Sequence, residues 1–311
     1  MSILFSFPGQ GAQREGMLHA LGREGIVRDT LAEASDTLGR DVLALDSADA
    51  LQSSIAVQLG LLVAGVASAR QLIAAAGPPD AVAGLSIGAY AAAVVAGALG
   101  FADALRLVER RATLMQQAFP AGYGMTAILG LAPAALQPLI ERVHSSESPV
   151  YLANLNAPTQ LVIAGASAAL ARVAALALEK GAQSIKPVAI SVPSHCALLD
   201  AAADQLVIAS AAVPMLRPRL RYFSASRSRE LRDPERLRED LARNMARPVL
   251  WHDTTALAHE SGVRLSIEMP PGGVLTKLAM AAFPDAVALA AEQTRGDSLA
   301  LLMERERSRD D

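Results

Sequence analysis

The sequence predicts an α/β protein in which a large domain is interrupted by a small one. Three observations predict it. Short apolar runs alternate with helix-length segments over most of the chain, the pattern of a sheet covered by helices. A Gly-x-Ser-x-Gly pentapeptide, Gly84-Leu85-Ser86-Ile87-Gly88, lies between one such run and a small-residue helical stretch. Over residues 125–190 the rhythm changes to β-α-β-β-α-β, the ferredoxin-like order.

Composition bounds the problem. At 311 residues, 52% hydrophobic and 19% charged, the chain can bury a large core. Aromatic residues are only 4%, so packing must rely on Ala, Leu and Val at close approach. A net charge of −3 gives no reason to expect a nucleic-acid partner. The single cysteine, Cys196, excludes a disulfide framework, and His19, His144, His195, His252 and His259 have no metal-ligand spacing. The first residues do not read as a signal peptide. Residues 81–102 carry no charge and are long enough to cross a bilayer. They are mostly Ala, Gly and Val, broken by the glycine-flanked Ser86, and read as a buried strand-to-helix unit. A cytoplasmic protein without a membrane partner is expected.

Each element follows in order. Residues 3–7 read as a buried strand, 8–13 as a Gly/Gln loop, and 15–22 as helix-like. Residues 50–76 read as a helix stopped by Gly77-Pro78-Pro79. Strand 81–83 leads into the pentapeptide and a helix over 89–99. Residues 103–119 form an amphipathic helix, with Leu105, Val108 and Leu114 opposite Arg106, Glu109, Arg110 and Arg111. The insert reads as strand 126–131, helix 133–143, strands 150–155 and 160–164, helix 167–180 and strand 184–190. The large domain is therefore expected over 1–124 and 191–311, and the small domain over 125–190. After Val192-Pro193-Ser194-His195 come a helix and a strand near 219–224, then an arginine-rich segment. The last unit is strand 264–268, the loop 269–273 and a helix from 274; the charged tail 304–311 should fray.

The pentapeptide has the strand–turn–helix context of a nucleophile elbow. Flanking Cβ atoms would clash on so tight a turn, and the serine hydroxyl would sit at a helix N-terminus whose free N–H groups can hold an oxyanion. A serine nucleophile needs a base, and His195, in a proline-bounded loop at the expected domain junction, is the best candidate. No Asp stands out to orient it, so a main-chain carbonyl would serve and give a dyad. Arg111 has two readings, a carboxylate clamp or a solvated helix face. The Gln10 N–H, between two glycines, could complete an oxyanion hole, or the loop is an ordinary turn. Cys196, beside His195, is a rival nucleophile. Arginines 217, 219, 221, 227, 229, 232, 236, 238, 243 and 247 form a local basic excess, either a docking face for an acidic partner or a solvated surface.

Six segments resemble, in the same order, the malonyl-CoA:acyl-carrier-protein transacylases. They are Phe7-Pro8-Gly9-Gln10-Gly11-Ala12-Gln13, the pentapeptide, Glu109-Arg110-Arg111-Ala112-Thr113-Leu114-Met115-Gln116, Asn154-Leu155-Asn156-Ala157-Pro158, Ser191-Val192-Pro193-Ser194-His195-Cys196-Ala197-Leu198 and Arg247-Pro248-Val249-Leu250-Trp251. The resemblance implies an α/β-hydrolase-like large domain with an inserted ferredoxin-like small domain. It implies Ser86 as the acylated nucleophile, His195 as its base, and Arg111 as partner of the malonyl carboxylate. It further implies an oxyanion hole from the N–H groups of Gln10 and Ile87, an orienting carbonyl from Asn244, and Asn154 and Asn156 near the pantetheine channel. Malonyl-CoA and an acyl carrier protein with a phosphopantetheine-type arm are the implied substrates, with no bound cofactor.

Two positions depart from the family pattern. Leu85 and Ala89 stand where the family usually has a histidine and a glutamate. Gly-Leu-Ser-Ile-Gly-Ala is more like the transacylase subunit of bacterial malonate decarboxylase. That subunit loads malonyl onto a carrier subunit bearing a phosphoribosyl-dephospho-CoA arm. This branch, with other malonate decarboxylase subunits as partners, is the expected one; a transacylase of fatty-acid or polyketide synthesis and a serine thioesterase or hydrolase are the alternatives.

Overall fold

A computed structural model describes residues 2–22, 25–119, 121–188, 190 and 192–308. The strands are β1 (Ser2–Phe7), β2 (Ala81–Gly84), β3 (Tyr123–Leu129), β4 (Val150–Ala157), β5 (Gln160–Ala166), β6 (Ser184–Val188), β7 (Arg221–Ser224), β8 (Arg229–Leu231), β9 (Val263–Glu268) and β10 (Val287–Ala290). The α-helices are α1 (Gly25–Leu38), α2 (Ser54–Ala76), α3 (Gly88–Val95), α4 (Phe101–Ala118), α5 (Pro133–Val143), α6 (Ser167–Glu179), α7 (Asp200–Ser210), α8 (Pro234–Arg243), α9 (Trp251–Glu260), α10 (Val274–Ala282) and α11 (Gly296–Arg307).

The strands form two sheets. The larger has the order β10-β9-β1-β2-β7-β8 and is parallel except for the β8 edge. Its middle strand β1 is apolar apart from Ser2 and Ser6, because helices cover both faces of a parallel sheet. Phe7 and Gly84 are paired at the carboxyl ends of β1 and β2, which brings the 8–13 loop beside the pentapeptide. Crevices at that edge of an open α/β sheet are the usual ligand sites. The smaller sheet, β4-β5-β3-β6, is wholly antiparallel, and with α5 and α6 it completes the ferredoxin-like order. It has its own core, in which Ile128, Leu136, Ile140, Leu161, Ile163 and Val173 are buried. The fold class read from the sequence is the one observed.

Helix α2 is long and apolar enough to cross a bilayer, but here it is a core helix packed against α1, α3, α4 and α11. The small sheet is fastened to the large domain at a bulge in β4. There the Leu155 N–H donates to the Val249 carbonyl at 2.8 Å, and the Val249 N–H donates to the Ala153 carbonyl at 2.8 Å.

Several local expectations are corrected. Residues 15–22 are turns and one short 3-10 stretch, His19–Leu21, not an α-helix. The Asp46 carboxylate accepts from the Leu18 and His19 N–H groups at 2.7 and 3.1 Å, so those amides are satisfied without a helical ladder. The helix read over 50–76 begins at Ser54, after a 3-10 turn, with Ser53 as N-cap. The helix after the elbow stops at Val95, before Gly97 at φ 68°. The small-domain strand read over 126–131 runs Tyr123–Leu129, and residues 189 and 191 lie outside the described residues. The charged tail is helical to Arg307, whose guanidinium donates to the carbonyls of Ala76 and Pro78; residues 309–311 lie outside the described ones.

Candidate active site

The site begins at the turn between β2 and α3. Ser86 sits there with φ 55°, a left-handed conformation that is rare for a non-glycine residue. The turn closes because its flanks lack side chains. A Cβ on Gly84 would lie 2.1 Å from the Gly88 carbonyl carbon, and one on Gly88 would lie 2.2 Å from the Phe7 oxygen. The Leu85 N–H donates to the Phe7 carbonyl at 2.9 Å, tying the turn to the end of β1.

His195 reaches the serine from a separate loop. Its own φ is 65°, and its N–H donates to the Met245 carbonyl at 2.6 Å. Ring Nδ1 faces two main-chain oxygens, Asn244 O at 2.8 Å and Arg247 O at 3.2 Å. Carbonyl oxygens only accept, so Nδ1 must carry the proton. Nε2 is then the free acceptor, and it lies 2.8 Å from Ser86 Oγ. The imidazole pKa is lowered from 6.5 to about 4, first by burial and then by the positive charge of Arg111. The ring is therefore a neutral base at physiological pH.

Arg111 projects from α4 into the same point and is buried. Its Nη2 donates to Ser86 Oγ at 3.2 Å and to Asn244 Oδ1 at 3.3 Å, and its Nη1 donates to Gln58 Oε1. The solvated-face reading of Arg111 is thus excluded. Burial lowers its pKa from 12.5 to about 10, which leaves it cationic at neutral pH. The Asn244 side-chain amide also donates from Nδ2 to the Ser86 carbonyl at 3.3 Å. Asn244 therefore meets histidine, arginine and serine at once.

These groups open into a cavity of about 220 Å³ between the two sheets. Gln10 and Ile87 line it, and among the described residues no hydrogen bond is made by either N–H. Met125, Ala127, Val162 and Val188 form an apolar wall from the small sheet, where Asn154 and Asn156 also face the cavity. The two asparagines approach at 3.5 Å, and buried Asn154 Oδ1 has no hydrogen-bond partner among the described residues. Leu85 lines the cavity and Ala89 is buried in the core, so neither supplies a polar group beside the serine.

Cys196 is buried away from this cavity, with its thiol donating to the Pro193 carbonyl at 3.3 Å. Burial pushes its pKa up to about 12, the reverse of an activated thiol. The arginine-rich segment is largely consumed in ion pairs. Arg221, Arg227, Arg232, Arg238, Arg243 and Arg247 each face a carboxylate, which leaves Arg217, Arg219, Arg229 and Arg236 without one among the described residues.

Two site groups were not found by sequence reasoning. One is the side chain of Asn244, of which only the carbonyl was expected to matter. The other is Gln58, whose signal was its isolation: it is the one polar residue between Ile55 and Ala67.

Comparisons with known proteins agree with this geometry. Residues 4–307 match the family described as acyl transferase domain. The malonyl CoA-acyl carrier protein transacylase of Haemophilus influenzae is 40% identical over 284 residues, covering 88% of this chain and 89% of the relative. The structure of the malonyl CoA-acyl carrier protein transacylase from Coxiella burnetii superposes with a TM-score of 0.93 at 35% identity, covering 98% of each chain. A malonyl-transacylase solved in complex with a type II PKS acyl-carrier protein gives a TM-score of 0.92 at 36% identity, over 97% of this chain and 99% of that one. A shared fold and this identity over nearly the whole chain place it plainly: it belongs to the acyl transferase family, among the malonyl-CoA:acyl-carrier-protein transacylases.

Proposed function

We propose that this chain moves a malonyl group from malonyl-CoA to the thiol of an acyl carrier protein through a malonyl-Ser86 intermediate. One observation carries the reading: a single hydroxyl, Ser86 Oγ, meets a neutral imidazole at 2.8 Å and a buried guanidinium at 3.2 Å. The first makes it a nucleophile, and the second is the natural partner of an acyl group that ends in a carboxylate.

Ser86 Oγ attacks the thioester carbonyl carbon while its proton passes to His195 Nε2. The oxyanion is held by the N–H groups of Gln10 and Ile87. The C–S bond breaks, and His195 returns the proton to the departing CoA thiolate. In the second half His195 takes the proton of the carrier thiol, whose sulfur attacks the malonyl ester; the C–O bond to Ser86 breaks, and His195 returns the proton to Ser86 Oγ. The carbonyls of Asn244 and Arg247 keep the imidazole in the required tautomer throughout. Asn154 and Asn156 lie along the wall that the pantetheine arm would follow.

The names of the relatives support an acyl carrier protein as acceptor, in one solved complex a type II PKS acyl-carrier protein, which favours the transacylase of fatty-acid or polyketide synthesis over the decarboxylase subunit. A second reading rests on Leu85 and Ala89, which give the elbow the Gly-Leu-Ser-Ile-Gly-Ala form of the malonate decarboxylase transacylase subunit. The acceptor would then be the decarboxylase carrier subunit with its phosphoribosyl-dephospho-CoA arm.

The test is intact-protein mass spectrometry after brief exposure to malonyl-CoA, followed by addition of holo-carrier proteins of both kinds. The expected result is a malonyl adduct on the wild type, none on Ser86→Ala, and discharge to a carrier thiol much faster than to water. An adduct that only water removes would make the protein a hydrolase. Faster discharge to the decarboxylase carrier would favour the second reading.

A further inference from the structure

The guanidinium of Arg111 is buried with no carboxylate partner among the described residues. Every group that meets it is neutral: Gln58 Oε1 at Nη1, and Asn244 Oδ1 and Ser86 Oγ at Nη2. Structural arginines buried this deeply are ordinarily paired with an acid. Here α2 brings an amide to the place where an acid would be expected.

Gln58 is held for this task on both ends. It is 1% exposed, and its Nε2 donates weakly to Met115 Sδ at 3.7 Å while its Oε1 accepts from Arg111. Arg111 and Met115 are one turn apart on α4, so the amide spans them. Its orientation is forced, because a guanidinium has only donors and the oxygen must face it. One turn earlier on α2, Ser54 Oγ accepts from Gln10 Nε2 at 3.4 Å. The first turns of α2 therefore face the site.

We propose that Gln58 is a specificity-determining positioning residue. Its neutral amide fixes the fork of Arg111 and leaves the positive charge uncompensated, so that the acyl group must bring the anion. The inference rests on the malonyl-transfer reading. Its sharp consequence is that the isosteric change Gln58→Glu places a carboxylate at Nη1, occupies the cation and removes the demand for an anionic acyl group.

The experiment compares acylation of Ser86 by malonyl-CoA and by acetyl-CoA in the full chain, read by intact mass in single-turnover time courses. The variants are wild type, Gln58→Glu and Gln58→Met. In Gln58→Glu the malonyl-to-acetyl rate ratio should fall by about tenfold or more, the scale of losing one charge-assisted contact. The loss should appear as weaker malonyl-CoA binding. Gln58→Met keeps the packing but frees the fork, so its ratio should fall less, and it serves if Gln58→Glu does not fold. An unchanged ratio in the folded variants, with malonyl still loading on wild-type Ser86, would overturn this inference alone. No malonyl adduct on the wild type would overturn the parent reading and this one with it.

Discussion

Ser86 and His195, joined by a 2.8 Å hydrogen bond across 109 residues of sequence, are both held in the left-handed region, at φ 55° and 65°. Each side chain reaches the other only from a backbone conformation that L-residues disfavour. Such strain at a nucleophile is the cost of exposing it.

That strain predicts an unusual order of stabilities. Among variants that remove the hydroxyl, Ser86→Gly should be more stable than Ser86→Ala by about 1 kcal/mol, because only glycine occupies this region freely. Denaturant midpoints of the two inactive proteins measure it. An alanine variant equal to or better than glycine would mean the turn is not strained.

The pH profile follows from the imidazole. Its pKa is lowered to about 4, so protonation should not remove the base near 6.5. The acid limb of kcat/KM for malonyl-CoA should therefore fall well below 6.5, toward 4. Because the Arg111 charge is the second cause, bound malonyl should offset it, and the acid limb of kcat should lie higher than that of kcat/KM. Coincident limbs would show that the two charges are not coupled.

Gly88→Ala tests the closeness of the elbow to β1. The new methyl would lie 2.2 Å from the Phe7 carbonyl oxygen, which is main chain and cannot swing aside. A loss of roughly 1–3 kcal/mol is expected, the usual range for overpacking. Ser86 acylation should slow more than that loss alone explains, because the serine is displaced from His195. Thermal unfolding and acylation rates together report it.

Arg111→Met separates stability from selectivity. The methionine fills the arginine's volume and removes a buried, unpaired cation, so thermal stability should be unchanged or higher. The preference for malonyl over acetyl should disappear. A marked fall in melting temperature would instead assign Arg111 a structural part.

What the sequence made legible was chemistry carried by short motifs. The elbow is local, since Gly84, Ser86 and Gly88 act within five residues. Arg111 was legible as a candidate only, because the helix reads with Arg111 grouped on its charged face, whereas the fold buries it with Leu105, Val108 and Met115. The missed and mistaken parts depend on distant partners. The helix expected over 15–22 fails because Asp46, 28 residues after Leu18, takes the amides. Helix α8 was hidden in the arginine-rich segment, where Leu237 and Leu241 supply its buried stripe. Gln58 acquires meaning only when α2 and α4 pack together. The side chain of Asn244 joins Arg111 to Ser86 while its carbonyl meets His195, a relation that no spacing in the chain encodes.

The walls of the cavity divide by origin. The groups that would sense acyl charge, Arg111, Gln58 and Asn244, all belong to the large domain, whereas Met125, Ala127, Val162 and Val188 belong to the small sheet. Tolerance for a bulkier or branched acyl chain can thus change by substitution in the insert, and tolerance for an uncharged one by substitution on two helices. The size route leaves the contacts of the Ser86–His195 pair in place, and the charge route can act at Gln58, which meets neither residue. The architecture lets size and charge of the acyl group evolve as independent traits.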